Sequence, residues 1–527
     1  MKFREIQTAK GWTTGRAIGA AASAAILAAL AGSAVEAQTS DLGRKSGTAT
    51  ARLIESQLAA RGSARVIIMH DAPAGRADSA DASRALLARA TDTLLSGVPA
   101  SDARRAEWSV NAASLMPVFA VTMNRAELNA VARSKNVVRI WPDQRNRFAL
   151  DGSMPSIGLP NPLPPAVAGA DGKGATIAVL DSGVEAGHPF FNGRVVAEAC
   201  FSANVKGESA SLCPNKANTQ TGAGSSAPCK APFEGCEHGT HVAGIAAGKR
   251  SGNTGPAGGV APGANILAVN IFSTNCDAGQ SCREISSWDS DGIAALNWVL
   301  EQHARIPGGV AAVNMSIGAG EFAGACDDRP YKVAIDALRA AGIAVVVASG
   351  NSRFKNAAGS PGCVSSAVTV GSITKAGRIS EFSNMSPIVD LMAPGTAIMS
   401  SVLNGRFESM DGTSMATPHV TGAFAVLKAR FPRASVAELE EALRATGPAI
   451  RDDRPGGTHS RPGIKVDLAI AHLAKTHTGV AATPPPATST TPPPPVAKGP
   501  TPPNPCDTTS AASSALTGGS ADKAGCK

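Results

Sequence analysis

Two hydrophobic patterns alternate along this chain. Short apolar runs of the kind that fill strands buried on both faces are separated by longer stretches with apolar residues at helical spacing. From about Ala175 the alternation is regular. Ala175-Thr176-Ile177-Ala178-Val179-Leu180 reads as a buried strand and ends in Asp181-Ser182-Gly183. A helix is expected after His238, a strand over 266–269, a helix over 292–303 and a strand over 310–316. A helix over 331–341 and strands over 343–348 and 367–370 follow. The apolar run from Val420 to Leu427 reads as a buried helix that Pro432 stops, and Ser435 with Glu438 forms a capping box for the last helix. This order predicts an α/β fold, a mostly parallel central sheet with helices on both faces. In such sheets, sites form beyond the carboxyl ends of strands, where Asp181 and Asn351 fall.

The stretch before it is different. Strands are expected over 65–69, 118–121 and 137–141, with helices over 83–95 and after Asn124, where Glu127 completes a capping box. This suggests a small α+β domain within residues 38–150, and nothing in it has catalytic spacing. Residues 1–37 have the layout of an export signal. Lys2, Arg4, Lys10 and Arg16 precede a small apolar run over 17–34, and Val35-Glu36-Ala37 offers a cleavage site. The run is too rich in Ala and Gly to make a convincing membrane span. The domain with the regular alternation is assigned 151–478. Residues 479–505 form a Pro/Thr-rich linker of polyproline character, and 506–527 a short tail with a Cys pair.

Composition adds three points. Aromatic residues are 4% of the 527, so the core must be built from Ala, Val, Ile and Leu. The formal net charge is +8, but the basic residues are scattered and a single tyrosine leaves few stacking platforms, so no nucleic-acid partner is expected. Ten cysteines fit an exported protein in an oxidising compartment, extracellular or periplasmic. They lack the Cys-x-x-Cys pairs of a zinc site, so disulfides are expected. Spacing suggests Cys276 with Cys282 and Cys506 with Cys526; Cys326 with Cys363 is a guess, and the pairing of Cys200, Cys213, Cys229 and Cys236 is open.

The candidate chemistry centres on Asp411-Gly412-Thr413-Ser414-Met415-Ala416-Thr417-Pro418-His419-Val420. Ser414 falls at a helix N-terminus, where free N–H groups and the dipole would stabilise a developing negative charge. A serine hydroxyl is a poor nucleophile at neutral pH and needs a base, best a histidine held in one tautomer by a buried carboxylate. Glu237-His238-Gly239-Thr240-His241-Val242-Ala243-Gly244 supplies the histidine and Asp181 the carboxylate. The competing readings are a turn residue for Asp181 and a metal pair for His238 and His241. A zinc protease helix would need histidines four apart with a glutamate between them. His419 is expected to be structural, because it faces away from Ser414 on the same helix.

Asp-Ser-Gly after a strand, His-Gly-Thr-His-Val-Ala-Gly and Gly-Thr-Ser-Met-Ala-Thr-Pro-His-Val, in that order, resemble the subtilisin-like serine proteases, the subtilases. The resemblance implies a serine endopeptidase with Asp181, His238 and Ser414 as its triad. It implies that the Asn351 amide and the Ser414 N–H stabilise the oxyanion. Ser316, Ile317 and Gly318 would pair with an extended substrate, and Ser349 and Gly350 would line the other wall of the primary pocket, with Gly359 and Cys363 at its floor. It further implies that 38–150 is a propeptide, an intramolecular inhibitor removed by self-processing. Expected partners are therefore protein or peptide substrates and this propeptide, with no membrane span after signal removal. No cofactor is expected for the chemistry. Structural calcium, common in the family, stays an option, although no run of carboxylates has site spacing. The stapled cysteine region and the tail depart from the minimal family pattern. An α/β-hydrolase esterase would need Gly-x-Ser-x-Gly and a different residue order. The remaining rival is a catalytically inactive binding protein with the subtilase fold.

Overall fold

The structure is a computed structural model. It describes residues 41–477 except 73–79, 107, 109, 113–115, 144, 147–156, 158–168, 251–255, 257 and 277–283. The expected export signal, the linker and the tail, including Cys506 and Cys526, lie outside the described residues. The chain divides into two compact units, 1–479 and 480–527, and only the first is described.

Its first part opens with helices α1 (Asp41–Ser46) and α2 (Thr48–Arg61). There follow β1 (Ser63–His70), α3 (Ala80–Ser96), α4 (Asp102–Ala106), β2 (Asn111–Ala112), β3 (Val118–Asn124), α5 (Arg125–Arg133), β4 (Val137–Pro142) and β5 (Arg145–Asn146). The first four strands make an antiparallel sheet in the order β2-β3-β1-β4. Asn124 and Glu127 form the expected capping box of α5. Helices α1 and α2 escape the sequence pattern because the apolar residues of α2 do not share one face: Ile54 is buried while its neighbour Leu53 is 40% exposed.

Every second residue of this sheet points the same way. Val66, Ile68, Phe119 and Val121 meet the sheet's own helices. Ile67, Val118, Ala120 and Trp141 point to the other face and join the core of the larger part.

The larger part has β6 (Thr176–Asp181), β7 (Val195–Phe201), β8 (Thr219–Thr221), α6 (His238–Ala247), β9 (Asn265–Asn270), β10 (Ser273–Asn275), β11 (Glu284–Trp288) and α7 (Asp289–His303). It continues with β12 (Val310–Met315), β13 (Ala319–Phe322), α8 (Tyr331–Ala340), β14 (Ala344–Ala348), β15 (Ala358–Ser360), β16 (Val368–Ile373) and β17 (Leu391–Pro394). A hairpin of β18 (Ile398–Val402) and β19 (Arg406–Met410) precedes α9 (Thr413–Arg430), α10 (Val436–Thr446), β20 (Ala449–Arg451), β21 (Ser460–Pro462) and α11 (Val466–Thr476). The central sheet has eight strands in the order β17-β16-β14-β12-β6-β9-β7-β8. All neighbours run parallel except β7 and β8. Ile177 and Val179 face α6, α9, α10 and α11; Ala178 and Leu180 face α7 and α8. The expected fold class is therefore the observed one. After β6 the chain extends the sheet in one direction with β7 and β9, then crosses back to build the other with β12, β14, β16 and β17. The boundary between β6 and β12 is the topological switch point.

The second apolar face of the small sheet is what holds the two parts together, at about 1.5–3 kcal/mol for each fully buried large aliphatic side chain. Charged groups fix the register. Asp143 accepts from Ser290 N at 2.8 Å, capping the start of α7, and pairs with Arg65 at 2.8 Å. Arg65 also donates to Ser290 Oγ at 3.3 Å, and Trp141 Nε1 donates to the Asp328 carbonyl. A buried ion pair of this kind contributes little net stability but makes misdocking costly. Strand β5 then pairs antiparallel with β11, Asn146 opposite Ser287 and Arg145 opposite Trp288.

The cysteine region pairs Cys200 with Cys213 and Cys229 with Cys236, and Cys326 pairs with Cys363, a pairing the sequence offers only as a guess. Cys276 is also disulfide-bonded, and its expected partner Cys282 lies outside the described residues. Alkylation without reduction should leave these cysteines unlabelled. Reduction should lower stability by about 2–4 kcal/mol per bridge. Ready labelling of Cys326 or Cys363 in the native protein, read by peptide mass mapping, would overturn this framework.

Candidate active site

Asp181 ends β6 with its side chain buried. Its Oδ1 accepts from His238 Nδ1 at 2.8 Å and from Ser182 N at 2.7 Å. His238 is the first residue of α6 and is fully buried. A nitrogen facing a carboxylate must carry the proton, so the neutral ring has its lone pair on Nε2. The two elements meet closely because residue 239 is glycine. A Cβ there would lie 2.2 Å from the Gly183 carbonyl and 3.0 Å from Asp181 Cβ.

The hairpin β18–β19 fixes the first turn of α6. Ser401 Oγ donates to Thr240 O at 2.9 Å, Ser400 Oγ to His241 O at 2.8 Å, and His241 Nε2 to Glu408 O at 3.1 Å. This hairpin was not expected from the sequence, yet Asn404-Gly405 is a hairpin dipeptide, and both residues have positive φ, 65° and 68°.

Ser414 is the second residue of α9 and is buried. Its Oγ donates to Ser316 O at 3.2 Å, and Ser316 Oγ donates to Ser414 O at 2.8 Å. The second bond has a sequence cause. Residue 418, whose N–H would bond the Ser414 carbonyl in a regular helix, is proline and has no N–H. The released carbonyl is taken by Ser316, which ties the helix start to the end of β12.

Asn351 follows β14 at the same end of the sheet. Its Oδ1 accepts from Thr413 N at 2.9 Å and from Thr413 Oγ1 at 2.8 Å. That fixes which end of the amide is oxygen. Nδ2 is buried without a hydrogen-bond partner. A buried donor left unpaired costs about 1–3 kcal/mol, and such a group calls for an explanation.

The structure therefore joins Asp181 to His238, and Asn351 and Ser316 to the start of α9. Helices α6 and α9 pack directly; a Cβ on Gly422 would lie 2.8 Å from Ala246 O. Ile317 is buried, and Gly318 leads into β13 beside Ala348 O and Ser360 O, with space for a Cβ at 3.8 Å from each. Ser349 is buried and Gly350 has φ +104°. Cys363 is disulfide-bonded and its N–H donates to Gly359 O at 2.9 Å. The sequence reading missed β11, whose Ser287 and Trp288 already pair with a passing strand; its only signal is a short polar–apolar run around Ile285.

His419 is buried and donates Nδ1–H to Met415 O at 2.9 Å, the structural role expected of it. Among the described residues, no group of three or more His, Cys, Asp or Glu side chains is arranged to hold a metal ion. Burial lowers the pKa of His419 to about 4 and of His241 to about 3. Each is neutral in the fold and protonates near 6.5 once exposed, so the stability that depends on their neutral form is fully present above pH 6.5 and is lost as the pH falls toward about 4 for His419 and about 3 for His241. His419→Asn should lose less stability than the parent protein between pH 6.5 and 4. Parallel melting curves in calorimetry would refute this.

The subtilase family model matches residues 172–464. The chain is similar to a subtilisin of Bacillus pumilus, 30% identical over 282 residues, covering 53% of this chain and 85% of that protein. It is 31% identical to the major intracellular serine protease of Bacillus subtilis (strain 168) over 264 residues, covering 49% of this chain and 70% of the other. Subtilisin NAT of Bacillus subtilis subsp. natto is 30% identical over 282 residues, 53% of this chain, and the chain spans 61% of its length.

Proposed function

The chain belongs to the subtilase family, and from that premise we propose that it is an exported serine endopeptidase that hydrolyses peptide bonds of proteins, made as a self-processing zymogen. The observation that carries the proposal is the buried 2.8 Å bond from His238 Nδ1 to Asp181, on a helix packed against the one that starts at Thr413 and Ser414.

In this reading Asp181, His238 and Ser414 are the triad. Ser414 Oγ attacks the substrate carbonyl carbon while His238 Nε2 takes its proton, the hydroxyl turning from the Ser316 carbonyl to do so. Asp181 holds the ring in the one tautomer that can accept and stabilises the imidazolium. The carbonyl oxygen gains a negative charge and receives N–H groups from Asn351 Nδ2 and the Ser414 backbone. The unpaired, fixed amide of Asn351 fits that task. Collapse of the tetrahedral intermediate sends the His238 proton to the leaving amine and leaves an acyl group on Ser414. Water, activated by the same histidine, then releases the acid. Besides that water and the substrate, the steps use only groups of this chain.

Substrate backbone is read as lying between Ser316–Gly318 and the Ser287–Trp288 edge, by β-augmentation. Ser349 and Gly350 form the opposite wall of the primary pocket. Residues 38–150 are read as the propeptide, supported by the small sheet packed over α7 and α8 and by β5 added to β11. Export is supported by the disulfides, and no described helix is long and apolar enough to cross a membrane. A fluorophosphonate should label Ser414, and the mature protein should digest casein with the label abolishing it. A folded, mature protein that neither takes the label nor cuts casein would leave the inactive binding protein as the reading.

A further inference from the structure

The turn that carries Asn351 is moulded around a side chain from another part of the chain. Asn384 is buried in the segment after β16. Its Oδ1 accepts from Ser352 N at 2.9 Å and Phe354 N at 3.1 Å, and its Nδ2 donates to Ser349 O at 2.9 Å. Its backbone N–H donates to Gly350 O at 2.8 Å, and its carbonyl accepts from Ser349 Oγ at 3.1 Å. These bonds reach the residues on both sides of Asn351. An amide suits the place because it offers two lone pairs to inward N–H groups and a donor to a carbonyl. Gly350 completes the fit: its φ is +104°, and a Cβ there would sit 2.5 Å from Asn384 Nδ2.

Asn384 is itself anchored from behind. Arg454, buried and paired with Asp452 at 2.8 Å, donates to Ser383 O at 2.7 Å and Glu381 O at 3.1 Å. Thr413 fixes the amide of Asn351, and Asn384 fixes the backbone that delivers it.

We propose that Asn384 is a positioning residue, which sets where Asn351 presents its Nδ2–H to the reacting carbonyl without touching substrate itself. The inference rests on the reading of Asn351 as oxyanion donor. A donor works only at hydrogen-bond distance from the developing oxyanion, and a misplacement of about 1 Å costs about 10²-fold.

The test is a double-mutant cycle on the mature protein with a chromogenic peptide amide, using Asn384→Ala, Asn351→Ala and the double variant. Asn384→Ala should lower kcat by about 10- to 100-fold with KM within a few-fold. In the Asn351→Ala background the same change should alter kcat by no more than about twofold, since no donor remains to be positioned. An equal loss in both backgrounds, or a single-variant kcat within twofold of wild type, would overturn the proposal. Asn351→Ala alone reports on the underlying reading: if it leaves kcat unchanged, the donor assignment fails and the positioning role falls with it. If Asn384→Ala does not fold, Asn384→Asp, of the same shape and with the acceptor kept, carries the cycle. Failure of both to fold would assign the residue to stability alone and overturn the role.

Discussion

Ser414→Ala is expected to lower kcat by about 10⁶-fold, the size of loss that removing the nucleophile causes in subtilisin, a member of the same family. A residual rate of about 10³–10⁴ over water would remain from substrate binding and the oxyanion donors. The competing role, a serine in the first turn of a buried helix, predicts something far smaller: a change in stability of about 1 kcal/mol, the usual net worth of a hydrogen bond such as the one its hydroxyl donates to Ser316 O, and an unchanged kcat. The two differ by orders of magnitude, so a single assay separates them. The same variant tests maturation. If residues 38–150 are removed by self-cleavage, it should accumulate with that segment attached, or held in a tight complex if another protease cuts it. N-terminal sequencing of wild type from the same host should find the segment gone. A variant processed to the wild-type start with normal kinetics would sink self-cleavage without touching the hydrolytic reading.

Asn351→Ala should lower kcat by roughly 10²–10³, about 2.7–4 kcal/mol, with little change in KM. A donor aimed at the oxyanion strengthens as charge develops, so its loss falls on turnover and not on substrate affinity. The alanine also strips Thr413 N and Oγ1 of their acceptor, which costs stability by leaving buried donors unpaired. Asn351→Asp separates the two effects. It keeps an oxygen for Thr413 and loses the N–H, so it should stay folded and still be slow. Self-processing will be slow in both variants, so they should be matured with added wild-type enzyme that is then removed. Mature, folded Asn351→Asp with kcat within a few-fold of wild type would show that the assignment is wrong.

Parts of this architecture were legible because their causes are local. The run Ile177–Leu180 reads as a buried strand because each residue alternates between two apolar layers, and both layers are present. The capping boxes at Asn124 and Ser435 are contacts three residues apart, so sequence spacing is enough to find them. The elements that escaped are those whose stability comes from distant partners. Strand β7 carries Glu198, whose carboxylate accepts from Gly224 N and from Ser226 Oγ, and its run Val195–Phe201 falls in a stretch to which the sequence pattern assigns no element. Pro418 leaves the Ser414 carbonyl without its helical donor, and the group that takes it, Ser316 Oγ, comes from a strand end far away in the chain.

The sequence by itself determined the candidate residue types, their order along the chain, the α/β alternation that puts Asp181 and Asn351 at strand ends, and the family. Each of these rests on side-chain identity and short-range periodicity, which the chain carries before it folds. Tertiary structure alone decided the strand order that opens a switch point between β6 and β12, and the docking of the β18–β19 hairpin on the His238 helix. It decided which layer covers the second apolar face of Ile67, Val118 and Trp141. It also brought Asn384 beneath the Asn351 turn. The physical reason is common to all of them. Which strands pair, and which distant carbonyl a given amide finds, depends on contacts between residues far apart in the chain, and no local pattern encodes the partner.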